Sequence, residues 1–140
     1  MQAANFEELI EPILAKDARY HRDAYLFLRE ALDHTRKTVG RPRKSEVGHV
    51  TGQELLAGIR EYALQQFGPM TLTVLEEWGI KRCEDFGELV FNMVESGLLA
   101  KTDKDSRDDF KAGYDFHEAF RRPFLPAGGK AVSPSESKQA

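Results

Sequence analysis

Between Thr51 and Gly97 the chain is punctuated at intervals that only a succession of short helices satisfies. Thr51-Gly52-Gln53-Glu54 fits a capping box, in which the Thr hydroxyl and the Glu carboxylate each satisfy a free backbone N–H. Leu55, Leu56, Ile59, Tyr62, Ala63 and Phe67 then recur at helical spacing and predict a broad buried face. Gly68 stops this helix. Pro69 can open the next at its first position, where a missing N–H does no harm. Met70, Val74, Leu75 and Trp78 line the second helix, Gly79 closes it, and Ile80 enters the core from the turn. A third helix, about Glu84 to Ser96, buries Phe86, Leu89, Val90, Met93 and Val94, and Gly97 caps it. Phe91 falls off that stripe and reads as an exposed aromatic offered to a further contact.

Three helices followed at once by Leu98-Leu99-Ala100-Lys101-Thr102 read as a helix-turn-helix core running into the first strand of a wing. A polar turn over 103–109 and a return strand near Asp109–Tyr114 complete the expected hairpin. Phe116–Arg121 reads as a short helix or extended piece. Upstream, Phe6, Leu9, Ile10, Ile13 and Leu14 share a helical face, with Pro12 demanding a kink or restart. Tyr25, Leu28, Leu32, Thr35 and Val39 mark a second helix from about His21 to Val39, ended by Gly40. The expected fold class is mainly α: N-terminal helices packed on a winged-helix-like three-helix unit with a small β hairpin. This domain is expected to occupy residues 1–124. From 125 to 140 the chain is rich in Pro, Gly, Ser, Lys and Ala and reads as a disordered tail.

Charge constrains the use of such a fold. The net charge of −3 supplies no global attraction for nucleic acid. Residues 51–102 hold 4 basic and 8 acidic side chains, so the helical middle is the acidic part. The helix in the recognition position carries Glu84, Asp85, Glu88 and Glu95 and no Lys or Arg between 84 and 95. A major-groove reader needs donors at base edges and cations near phosphates, and these carboxylates do the opposite. Cations gather elsewhere: Arg36, Lys37, Arg41, Arg43 and Lys44 surround Gly40 and Pro42, with no acid from 36 to 45. This patch is the candidate partner-binding site, suited to nucleic acid or an acidic protein. The same cations also complement the dipole at a helix C-terminus.

Nothing in the sequence assembles a catalytic or metal-binding set. Cys83 is the single cysteine, so neither an internal disulfide nor a Cys-x-x-Cys pair exists. Its place near a predicted helix N-terminus, beside Arg82, could lower its pKa, yet no base accompanies it. His21, His34, His49 and His117 lack ligand spacing. Asp103, Asp105, Asp108 and Asp109 fail the calcium-loop pattern, which places Asp108 where glycine is needed and Tyr114 where a carboxylate is needed. Asp85-Phe86-Gly87 has no kinase motif around it, and Gly87 reads as a point of close helix–helix approach. No cofactor is expected, and an enzyme is not. No apolar run approaches the about 20 residues of a membrane span. Glu7, Glu8 and Glu11 stand where a signal peptide needs other residues, so the cytoplasm is the expected location. Arg19-Tyr20, Asp23 with Tyr25, and Arg60 with Tyr62 are either interface anchors or the means of docking the first helices on the second unit.

Several strings resemble those of an uncharacterised bacterial protein family of unknown function, the "Minf" group. They are Asp17-Ala18-Arg19-Tyr20 with Asp23-Ala24-Tyr25, Thr51-Gly52-Gln53-Glu54-Leu55-Leu56, Gly58-Ile59-Arg60, Gln66-Phe67-Gly68-Pro69-Met70, Val74-Leu75-Glu76-Glu77-Trp78-Gly79-Ile80, Asp85-Phe86-Gly87, and Asp108-Asp109-Phe110 through Tyr114-Asp115-Phe116. The resemblance spans roughly residues 6–124 and implies no activity and no functional residues. The expected function is a non-enzymatic interaction module for a protein or ribonucleoprotein partner. The alternative is a nucleic-acid-binding regulator using the basic 36–44 patch and the wing. The oligomeric state is left open by the sequence.

Overall fold

The computed structural model describes residues 6–39, 50–99, 106–111 and 113–126. Five α-helices make the frame: α1 (Phe6–Lys16), α2 (Arg22–Val39), α3 (Gly52–Phe67), α4 (Thr71–Glu77) and α5 (Cys83–Ser96). α1 runs through Pro12 without restarting. Pro12 lies on the exposed side, where a forfeited hydrogen bond faces water rather than the core. The capping box of α3 is formed: Glu54 N–H donates to Thr51 Oγ1 at 3.1 Å and Thr51 N–H to Glu54 Oε1 at 2.9 Å.

α2 makes its broadest contact with α3. The approach is close because Gly58 faces Thr35: a Cβ at Gly58 would stand 1.8 Å from Thr35 Oγ1. Phe27 fills the wider end of this seam, its ring 5.6 Å from Tyr62, 5.7 Å from Phe67 and 5.6 Å from Trp78. α5 is the central element, carrying the buried Phe86, Leu89 and Met93 and meeting α1 and α2.

Two turns lock these helices together. Trp78 carbonyl accepts the His21 N–H at 3.1 Å, joining the start of α2 to the end of α4. Gly79 has φ 89°, and a Cβ there would stand 2.3 Å from the Arg19 carbonyl oxygen. Both the backbone conformation and the space therefore require glycine.

The expected hairpin is not formed among the described residues, which contain no strand. Gly97, at φ 91°, ends α5, and both Leu98 N–H and Leu99 N–H turn back to Met93 carbonyl at 2.9 and 3.2 Å. Ala100 and Lys101-Thr102 lie outside the described residues. In place of the return strand, Arg107–Phe110 form a 3-10 turn. The cause is local: Asp108 N–H donates to Ser106 Oγ at 3.1 Å, and Ser106 N–H donates to Asp109 Oδ2 at 3.1 Å. This reciprocal cap competes with extended backbone. Phe110 packs on Gly87, so that glycine admits the 3-10 turn rather than a second helix.

Of the two expectations for Phe116–Arg121, short helix or extended piece, the helical one is present as a π-helical turn, His117–Arg121, followed by a 3-10 turn, Arg122–Phe124. Asp115 begins it by accepting the His117 and Glu118 N–H groups at 3.0 and 3.1 Å. Phe116 and Phe120 are buried with Phe86, and the partly buried Tyr114 packs against them in a second aromatic cluster. Residues 127–140 of the expected tail lie outside the described residues. Among those described, no helix is long and apolar enough to cross a membrane.

Candidate interaction surfaces

Three of the four carboxylates of α5, Asp85, Glu88 and Glu95, are engaged within the fold. Asp85 Oδ2 accepts the backbone N–H groups of Lys81 and Arg82, at 2.8 and 3.3 Å, closing the first turn of α5. Its Oδ1 accepts the Tyr20 hydroxyl at 2.6 Å. Glu88 lies 3.3 Å from Arg19 and 3.5 Å from Arg107, and Glu95 lies 3.3 Å from Lys16 and 4.0 Å from Arg107. Cations from α1, the following turn and the 3-10 turn thus alternate with acids along α5. Each such exposed pair contributes at most about 1 kcal/mol, but together they neutralise a face that looked available in sequence.

The Asp17–Tyr20 turn is the other half of this clamp. Arg19 holds Asp17 through two side-chain contacts, Nε at 2.9 Å and Nη2 at 2.7 Å. Asn92 Nδ2 reaches both Asp17 Oδ2 at 3.0 Å and the Tyr25 hydroxyl at 3.1 Å. The Arg19 and Asn92 hydrogen bonds hold the Asp17 carboxyl well below the usual carboxylate range. Burial, followed by the Asp85 contact, pushes the Tyr20 phenol above its ordinary value. Of the two readings of Arg19-Tyr20 and Tyr25, the docking one describes what these side chains do. Tyr62 likewise donates to Glu30 across the α2–α3 seam at 3.0 Å.

Phe91, expected to be exposed, is only 9% accessible. The Arg107 guanidinium lies over its ring, 5.1 Å from the centroid. The 3-10 turn that replaces the strand is what covers it. Cys83 also departs from expectation. Its thiol is buried, 3.4 Å from the Tyr114 carbonyl, and burial pushes its pKa up to about 11 rather than lowering it. Among the described residues no three His, Cys, Asp or Glu side chains gather to hold a metal.

The basic patch is described only in part. Arg36 and Lys37 end α2 on its exposed side, with Arg36 3.3 Å from Asp33. Arg41, Arg43 and Lys44 lie outside the described residues. Arg36 also borders a recess of about 250 Å³ with Arg29, Asp33, Met93 and Leu98.

A different surface stands out for its apolar exposure. Pro69 of the 3-10 turn before α4, with Leu72 and Thr73 from the start of α4, faces Phe120, Arg121, Phe124 and Leu125 across a groove of about 200 Å³. Phe124 and Leu125 are 44% and 49% exposed, and Met70, next to Pro69, is 56% exposed. Met70 was expected to line the second helix, but Gly68–Met70 form a 3-10 turn before α4 begins, which turns its side chain outward. The sequence signal for this groove was Phe124-Leu125 following Arg121-Arg122, an apolar pair placed beyond the last expected core position. Comparison with protein-family models, with characterised proteins and with solved structures finds no match.

Proposed function

We propose that this chain is a non-enzymatic interaction module that binds a protein or ribonucleoprotein partner through the Leu72–Phe124–Leu125 groove. The observation that carries the reading is the joint exposure of Phe124, Leu125 and Met70 beside this concavity. Aromatic residues, Met and Arg are enriched at protein interfaces, and exposed apolar side chains collected in one place mark such sites. The groove's volume falls below the about 300–1,000 Å³ typical of small-molecule pockets, which favours a partner's side chain over a cofactor. Membership of the Minf group, suggested by the motif strings, belongs to the same proposal and adds no activity to it.

The test is affinity purification of the tagged full chain from native lysate, with and without nuclease, beside Phe124→Asp. The expected outcome is a protein partner retained after nuclease and lost with the variant. Capture abolished by nuclease and indifferent to Phe124 would overturn the reading.

A second reading, nucleic-acid binding through the 36–44 patch, is favoured by the exposed Arg36 and Lys37 at the end of α2. It predicts salt-sensitive retention on DNA that is lost when Arg36, Lys37, Arg41, Arg43 and Lys44 are changed together to Gln.

A further inference from the structure

The groove carries a positive charge at its edge and, among the described residues, no carboxylate in its lining. Arg121 lines it, and among the described residues Arg121 makes no ion pair. Arg122, its neighbour, lies 2.8 Å from Glu118 in an i,i+4 pair. The π-helical turn and the 3-10 turn after it therefore present one cation, Arg122, paired with Glu118, and one, Arg121, uncommitted at the groove. Pro69, Leu72, Phe120, Phe124 and Leu125 give an apolar lining. An arginine next to an apolar concavity matches a ligand that presents an apolar side chain and, close by, a carboxylate. The guanidinium can receive that carboxylate through paired N–H donors, a geometry a lysine would not supply.

From this charge complementarity we infer that the groove receives a linear acidic-apolar segment of a partner protein: a Leu, Met or aromatic side chain seated against Leu72 and Phe124, with an adjacent Asp or Glu held by Arg121. This rests on the groove being the interaction surface and adds the class of its occupant. The apolar side chain supplies most of the affinity through area removed from water. The Arg121–carboxylate contact selects acidic over basic segments and makes association depend on salt. A basic segment would meet the Arg121 charge with no carboxylate in the groove lining to offset it.

The experiment is selection of a random 12-residue peptide display library on the immobilised full chain, followed by fluorescence anisotropy with the enriched peptides. Wild type is compared with Arg121→Glu, Phe124→Asp and Lys81→Glu, the last an exposed cation outside the groove. Circular dichroism melts confirm that each variant is folded. The expected result is enrichment of apolar residues flanked by Asp or Glu. Binding is weakened about tenfold or more by Arg121→Glu, abolished by Phe124→Asp and unchanged by Lys81→Glu. Enriched peptides that need Phe124 but lack carboxylates and ignore Arg121 would overturn the acidic class and leave the groove standing. No Phe124-dependent enrichment would overturn both. Sedimentation showing a dimer of this chain that Phe124→Asp dissociates would assign the groove to a second copy, and binding that appears only when residues 127–140 are removed would assign it to the chain's own C-terminal segment. Either outcome overturns the inference.

Discussion

The Tyr20 hydroxyl donates to Asp85 Oδ1 at 2.6 Å while Asp85 Oδ2 closes the first turn of α5. One carboxylate thus caps a helix and fastens the α1–α2 turn to it. A side chain that reads in sequence as part of an acidic surface is a structural joint. Tyr20→Phe is expected to cost about 1–2 kcal/mol in urea unfolding, and Asp85→Ala more, about 2–3 kcal/mol, since it also strands backbone donors. A Tyr20→Phe protein as stable as wild type would contradict this role.

Asp17 gives the fold a sign for its acid response. Its folded pKa is held down by Arg19 and Asn92, below the about 3.9 of an unfolded Asp. The stabilisation is therefore complete above the unfolded value and is lost as pH falls from about 5 through 4 toward the folded value. Asp17→Asn should lower stability at neutral pH and flatten the decline between about pH 5 and pH 2 in denaturant melts. A decline as steep as that of wild type would place the acid sensitivity elsewhere.

Cys83 should be inert while the protein is folded. With its thiol pushed up to about 11 and its side chain buried, little thiolate forms near pH 8. A thiol-specific disulfide reagent should react with it slowly in buffer and quickly in denaturant. Comparable rates in both would contradict its burial.

Gly58 sets the distance between α2 and α3. Gly58→Ala gains about 1 kcal/mol in helix propensity. It also forces a methyl against Thr35, whose side chain is buried and donates to the Ala31 carbonyl at 2.7 Å. Overpacking should win, with a net loss of about 1–2 kcal/mol in urea unfolding. A neutral or stabilising outcome would mean that the α2–α3 seam yields easily.

The helices were legible because their signals are local. Thr51 and Glu54 specify a start, Gly68, Gly79 and Gly97 specify stops, and the apolar spacing between them specifies the buried faces. The expected return strand near Asp109–Tyr114 does not form because the reciprocal Ser106–Asp109 cap commits Arg107–Phe110 to a 3-10 turn. The burial of Phe91 depends on the same turn, since its cover is Arg107. The groove was the least legible element. Its two walls come from Leu72 and Phe124, far apart in the chain, and neither carries a periodic signal for being left open. The acidity of α5 was visible, but its neutralisation depends on Lys16, Arg19 and Arg107, which only the tertiary fold brings alongside.

The central claim is that the partner surface is the Phe124 groove and not the acidic face of α5. Quantitative capture of the partner from nuclease-treated lysate tests it directly, comparing wild type, Phe124→Asp and the double variant Glu88→Gln with Glu95→Gln. The account predicts that Phe124→Asp loses the partner while the double variant retains it at the wild-type level. Partner loss in the double variant with full retention by Phe124→Asp would contradict it.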